Sequence, residues 1–235
     1  MRMAFFYHSQ AADWNHGNAH FLRGITSELI SRGHEVTVHV PRAGWSMRNQ
    51  LREHHGREAM GRYLRRYPHL REQAYDLESL DLEQALDGVD LVIVHEWNPH
   101  ELVRRIGEHR SRHHGYRLLF HDTHHRSLTD RRNVADYDLS EFDGVLAFGA
   151  IIRDLYLAKG WAARAWVWHE AADTRVFHPI ANLQPMADVV WVGNWGDDER
   201  SAELHEFLFD PVSREGLSTT IFGVRYPARE QALLQ

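Results

Sequence analysis

The sequence predicts an α/β fold: a doubly wound parallel sheet, followed by the start of a second Rossmann-like unit. Three observations carry this expectation. Short apolar runs recur at 3–7, 36–40, 91–94, 117–120, 144–148 and 165–168. Amphipathic helical stretches lie between most of them, the alternation that builds a parallel sheet. Most of the runs stop at a polar cluster: His8-Ser9, His95-Glu96, His121 to His125, Phe148-Gly149 and His169-Glu170. In a parallel sheet such ends gather on one edge, where open α/β folds bind their ligands.

Each element has a local reason. The run 3–7 is a buried strand, and the polar turn HSQAADWNHG follows it. Over 18–32, Phe21, Leu22, Ile25 and Leu29 share one helical face, and Gly33 is the stop. The stretch 41–80 reads as helical, interrupted by Gly56 and Gly61 and ended by Pro68, before a short helix over 82–86. Asn98 is placed to cap the next helix, with Pro99 at its first position and Glu101 completing a capping box. That helix buries Leu102, Val103 and Ile106, and a further helix spans 150–159, closed by Gly160. The expected domains are 1–176, a linker over 177–186 (FHPIANLQP contains two prolines), and 187–235. In the last, a strand over 189–192, a helix over 198–209 ended by Pro211, and a strand over 219–222 are expected. This second unit is too small for an independent sheet, so the chain is expected to be part of a longer protein.

Composition narrows the function. No run of 18 apolar residues exists, so no transmembrane helix is expected. The N-terminal apolar run meets His8 too soon to be a signal-peptide core. Cysteine is absent, which excludes disulfides, thiolate zinc sites and a cysteine nucleophile, and agrees with a cytoplasmic location. A net charge of −6 supplies no global basic field, so nucleic acid is not an expected partner. Arg62, Arg65, Arg66 and Arg71 lie among glutamates and read as a solvated helical face.

Known motifs are mostly missing. The first turn has one glycine, Gly17, and no G-x-G-x-x-G; neither G-x-S-x-G nor a P-loop occurs. His121, Asp122, His124 and His125 suit a metal by residue type but match no zinc spacing, so no metal is expected. His54-His55 and His113-His114 read as helix-surface pairs. Gly193-Asn194-Trp195-Gly196 is a turn from strand to helix whose N–H groups could cradle phosphate. Arg200 stands in that helix's first turn, where the dipole disfavours a cation unless it faces an anionic ligand or pairs with an acid.

Taken in order, the segments HGNAHFLRGI, ELISRGHEV, DLVIVHEW, LLFHDTHHR, ADTRVFHP and DVVWVGNWGDDER resemble nucleotide-sugar glycosyltransferases of the GT-B fold. The resemblance is to the spore-maturation (CgeB-like) group and, more distantly, to glycosyltransferase family 4. It implies an N-terminal acceptor domain facing a C-terminal domain that binds the sugar nucleotide, with no cofactor besides that co-substrate and no metal. Gly17 and Asn18 would form the first loop near the reacting sugar, with His20 beside them. His124 would contact the donor sugar, His121 being the alternative register and His125 a neighbour. Glu170 would add a substrate contact. Gly193 and Asn194 would begin the donor loop, with Arg200 near the diphosphate. Family 4 usually has arginine and lysine where Asn194 and Arg200 stand here, and its acidic motif would fall past Gln235. The 235-residue chain alone is therefore expected not to transfer sugar. His124, Asp122 and Glu96 are the candidates for a base on the acceptor hydroxyl. The sugar, lipid or protein acceptor is not specified. The competing readings are a non-catalytic carbohydrate- or nucleotide-binding module and a nucleotide-sugar epimerase of the same fold.

Overall fold

A computed structural model describes residues 1–14, 17–42, 44–123, 136–196 and 198–227. The chain divides into two compact units, Met1–Phe177 and His178–Gln235.

The first unit runs β1 (Arg2–Phe6), α1 (Asn18–Ser31), β2 (Glu35–Pro41), α2 (Trp45–Arg52), α3 (Gly56–Arg66), β3 (Glu72–Tyr75) and α4 (Leu82–Ala85). It continues through β4 (Leu91–His95), α5 (His100–Arg112), β5 (Arg117–Asp122), β6 (Gly144–Ala147), α6 (Ala150–Ala158) and β7 (Ala165–Val167). The strands form one parallel sheet in the order β3-β2-β1-β4-β5-β6-β7. This is the doubly wound arrangement expected from the sequence. The chain leaves β1 toward β2 on one side and β4 lies on the other, so the topological switch point falls between β1 and β4.

The central strands are buried on both faces, which is why they read as continuous apolar runs. One face packs Phe6, Val92, Val94, Leu118 and Phe120 against Leu102, Val103, Ile106 and Tyr156. The other packs Met3, Phe5, Val36, Val38 and Ile93 against Leu22, Ile25 and Leu29 of α1. Gly33 ends α1 at φ +83, donating to Ile30 O at 2.9 Å while His34 N donates to Leu29 O at 3.1 Å. Only a residue comfortable at positive φ closes a helix in this way.

Several expectations are corrected. The stretch 41–80 is not helical throughout: β3 adds a parallel edge strand to β2. Its sequence, EQAY, has no apolar run because only Tyr75 is buried. Gly61 lies inside α3 and does not interrupt it. Asn98 does not cap α5, which starts after Pro99. Its amide donates instead to the carbonyls of Phe6 and His95, each at 2.8 Å, and its Oδ1 accepts from Tyr75 Oη at 3.2 Å. It thereby ties the ends of β1, β3 and β4. The strand expected over 117–120 extends through Asp122, so His121 and Asp122 are strand residues.

Residues 171–177 lie against α1, and the D-x-x-x-F-x-P motif explains how. A Cβ on Gly24 would stand 2.9 Å from Cβ of Asp173. Arg175 Nη2 donates to Gly24 O at 2.8 Å, and Asp173 O accepts from the Phe177 amide at 2.8 Å. Gly24→Val is expected to lower stability by about 1–3 kcal/mol, the usual cost of overpacking. Urea unfolding of the variant measures this, and an unchanged midpoint would contradict the close approach.

The second unit contains β8 (Val189–Val192), α7 (Asp198–Leu204), a π-helical turn (His205–Phe209), α8 (Asp210–Glu215) and β9 (Thr219–Phe222). β8 and β9 pair in parallel. Pro211 does not terminate a helix here: it lies in the first turn of α8, which continues directly from the π-helical turn, and Gly216 at φ +64 ends that helix. Trp195, Leu204, Leu208 and Phe209 form the small core. Among the described residues, no helix is long and apolar enough to cross a membrane.

Candidate active site

The sheet register builds the site. Phe6 pairs with Val94, and His95 pairs with His121, so Tyr7, His95 and His121 come level at the carboxyl ends of three adjacent strands. Asn18 opens α1 beside them, and Thr123 and Glu170 follow β5 and β7.

A polar network links these ends. The Trp97 amide donates to His95 Nδ1 at 3.2 Å, so His95 carries its proton on Nε2. Thr123 Oγ1 lies 3.1 Å from that nitrogen. The donor–acceptor pattern then fixes the Asn18 amide. Its oxygen accepts from His95 Nε2 at 2.8 Å and Thr123 Oγ1 at 3.0 Å, and its nitrogen donates to the Glu170 carboxylate at 3.0 and 3.1 Å. Thr123 Oγ1 also stands 3.5 Å from Glu96 Oε1. Glu170, Asn18, His95, Thr123 and Glu96 thus form one connected path.

Burial pushes the Glu170 carboxyl up to about 7. Burial, and next the Glu170 charge, raise the Tyr7 hydroxyl well above its ordinary value. The Tyr7 hydroxyl lies 2.6 Å from His121 Nδ1. Burial lowers His121 to about 3, so it is neutral at ordinary pH. Its ring is fully buried among Tyr7, Phe21, His95 and Trp168, and its Nε2 has no hydrogen-bond partner among the described residues. His121 therefore supports the site from beneath and is closed to solvent.

The loop after β1 is held firmly. Buried Arg23 donates from Nε to Gln10 O at 2.7 Å, from Nη2 to Ala11 O at 2.8 Å and from Nη1 to Asp13 Oδ2 at 3.0 Å. Glu72 Oε2 accepts from the amides of Gln10 and Ala11 at 3.3 and 3.0 Å. Aromatic rings cluster on the same edge. Trp14 packs edge-on against Trp45 at 4.8 Å, and the His8 ring lies 6.2 Å from Trp45 and 5.9 Å from Trp97. Trp45 and Trp97 are each 40% exposed.

The expected site residues divide accordingly. Asn18, Glu96 and Glu170 meet in the network. Asp122 is buried on the opposite face of the sheet from His121, because consecutive strand residues alternate, and its Oδ2 accepts from Tyr156 Oη at 2.8 Å. Gly17 lies exposed at the start of α1 with negative φ, and a Cβ there would meet nothing within 4 Å among the described residues. His20 faces Asp13 at 3.5 Å and the Phe177 ring, away from the network. His124 and His125 lie outside the described residues. In the second unit, Asn194 Oδ1 accepts from the Val224 amide at 2.8 Å, and Gly193 N donates to Phe222 O. Arg200 Nε stands 3.4 Å from Glu203 Oε2. Tyr7, Thr123 and Arg23 were not legible as site residues: each gains its role only through partners that the fold brings close. Two surface hollows, of about 430 and 460 Å³, lie along α1 near Asp173 and Arg175, apart from the network.

No protein-family model matches the chain, and no curated protein matches it either. Solved structures do. Two are of an alpha-glucosyltransferase, one in complex with UDP and a 13-mer DNA containing a HMU base, the other with UDP-glucose and DNA containing an abasic site. The TM-scores are 0.59 and 0.58, at 14% and 15% identity, and each match covers 99% of this chain. The chain spans 59% and 61% of the length of those two proteins. At this identity the likeness is one of fold: the chain is built like part of a glucosyltransferase of the GT-B type.

Proposed function

We propose that this chain is the acceptor-side part of a glycosyltransferase that uses a nucleotide-sugar donor. The observation that carries the reading is the Glu170–Asn18–His95–Thr123 network at the β1/β4 switch point, in a fold shared with UDP-sugar-dependent glucosyltransferases. Residues 1–176 bind the acceptor, 177–186 connect, and 187–235 begin the donor-binding domain. Kinship with the CgeB-like group, and more distantly family 4, rests on the RGHEV and D-x-x-x-F-x-P segments.

Glu170 is the group we assign to the acceptor hydroxyl. A carboxyl raised to about 7 takes a proton efficiently near neutral pH. The acceptor O–H proton passes to the Glu170 carboxylate as the acceptor oxygen bonds to the anomeric carbon. The anomeric carbon–oxygen bond to the diphosphate breaks, and its electron pair leaves with the nucleoside diphosphate. Asn18 and His95 hold the carboxylate in position. Glu96 is a network partner at the Thr123 end, and Asp122 is a structural residue that accepts from Tyr156 Oη. Gly17 admits the sugar closely and His124 with His125 are assigned to the sugar, while buried His121 supports the network from beneath and His20 pairs with Asp13 beside the loop after β1. Gly193, Asn194 and Arg200 receive the diphosphate, whose charge is offset without a metal or other cofactor. Trp14, Trp45 and Trp97 offer ring faces for the acceptor. The excess of 33 acidic over 27 basic residues favours an acceptor other than nucleic acid, and the reaction is assigned to the cytoplasm.

The test is a donor screen on the full-length natural protein, following nucleoside diphosphate release with and without chelator. Release with a transferred sugar, insensitive to chelator, is expected. Donor binding without turnover, or donor epimerisation without transfer, would replace this reading with a binding module or an epimerase. As a local check, Gly17→Ala is expected to leave the unfolding midpoint unchanged and to reduce transfer, because no described residue stands within 4 Å of the added methyl group.

A further inference from the structure

At the opposite, N-terminal edge of the large sheet, a second cluster lies in a hollow of about 440 Å³ lined by Glu83, His109, His113 and Tyr116. Glu83 projects from α4. His109 and His113 stand one turn apart at the end of α5, their rings stacked with centroids 4.3 Å apart. One carboxylate spans both imidazoles: Glu83 Oε1 is 3.0 Å from His113 Nε2, and Oε2 is 3.6 Å from His109 Nε2. One potential ligand atom from each residue lies within 4.8 Å of the others.

We propose that Glu83, His109 and His113 bind a divalent transition-metal ion of the zinc class, which cross-links α4 to α5. Donors on a tetrahedral zinc at about 2.0–2.1 Å stand roughly 3.3 Å apart, and the two carboxylate–imidazole separations straddle that value. The second, independent observation is His109 itself. Its side chain is only 5% exposed. Its Nδ1 lies 3.0 Å from Tyr116 Oη, while its Nε2 is buried and, among the described residues, meets only the Glu83 carboxylate at 3.6 Å, longer than a normal hydrogen bond. A His113–Glu83 ion pair accounts for half of this arrangement and leaves the buried nitrogen with one long contact to Glu83. A metal on Nε2 meets it. His109 Nδ1–H then donates to Tyr116 Oη, the outer contact that orients metal-bound imidazoles. Two imidazoles and one carboxylate suit zinc, copper or nickel, whereas calcium and magnesium prefer oxygen donors. The fourth position is left to water. The site stands apart from the transfer reaction proposed above and does not depend on it.

The chain has 19 histidines, including the exposed His54-His55 pair, so the test needs a control for adventitious binding. The 235-residue chain, stripped with chelator, is titrated with Zn²⁺ alone by calorimetry, and Co²⁺ is added separately to read the visible spectrum. The expected results are one site lost in both His113→Ala and Glu83→Ala, and kept in the His54→Ala/His55→Ala control. Tyr116→Phe is expected to weaken that site by about 10–100-fold. A tetrahedral Co²⁺ band should appear in the unaltered chain and vanish in His113→Ala. The His113 and Glu83 side chains are 45% and 63% exposed, so their variants should fold. Zn²⁺ stoichiometry and Co²⁺ spectra unchanged in both variants would overturn the proposal and leave the surface ion pair as the full account.

Discussion

Glu170→Gln is expected to lower sugar transfer by about 100- to 10,000-fold, the range lost with a general base, while the fold stays intact. Glutamine keeps the shape and can still meet Asn18, but it cannot take a proton. The same substitution has a stability signature with a definite sign. Burial raises the folded carboxyl from 4.5 to about 7. Below about 4.5 the group is protonated whether the chain is folded or not. Between 4.5 and about 7 the folded chain holds a proton that the unfolded chain has released, so this group's contribution falls as pH rises through that window. Glu170→Gln removes the slope: the variant gains stability relative to the parent as pH climbs from about 4.5 to 7. Urea midpoints at several pH values measure it, and parallel pH curves for the two proteins would show that the carboxyl is not raised.

Arg23→Ala is expected to be the most damaging single change to stability, by about 3–5 kcal/mol, as for breaking a buried, hydrogen-bonded charge. The guanidinium holds the carbonyls of Gln10 and Ala11 and the Asp13 carboxylate, and it stacks over the Tyr63 ring at 5.0 Å. Alanine leaves two inward-facing carbonyls without these donors. Arg23→Lys should recover only part of the loss, because an ammonium cannot reproduce the planar fork. Denaturant unfolding of the three proteins checks the order. Transfer should fall as well, because the loop after β1 carries Trp14 and leads into Asn18.

The residues that were legible in advance share a physical cause. Strands β1, β4 and β5 announce themselves because burial on both faces demands uninterrupted apolar side chains. β3 stays hidden because it is an edge strand held by backbone pairing to β2, with one buried residue in four. Asn98 carries the capping signature but spends its amide on three strand ends, a choice set by tertiary neighbours. The polar clusters at the strand ends contained Glu96 and Glu170, since a parallel sheet must bring those ends together, whereas Asn18 came from the family resemblance. What sequence could not supply was the side-chain geometry within the edge. His121 and Asp122, adjacent in the chain, fall on opposite faces of the sheet once β5 extends through them. His121, the most conspicuous histidine of the described residues, is closed in by aromatic rings. His113 read only as a surface neighbour of His114, and it meets His109 and Glu83 through the turn of α5 and the packing of α4 on α5.

The central claim is that Glu170 accepts the acceptor proton in a nucleotide-sugar transfer. Its most direct measurement is the pH dependence of kcat/KM for the acceptor, in the full-length protein and in its Glu170→Gln variant. The account predicts a rate that rises with pH to a plateau above about 7 in the parent, and a much lower rate without that limb in the variant. Superimposable profiles of equal height would contradict it.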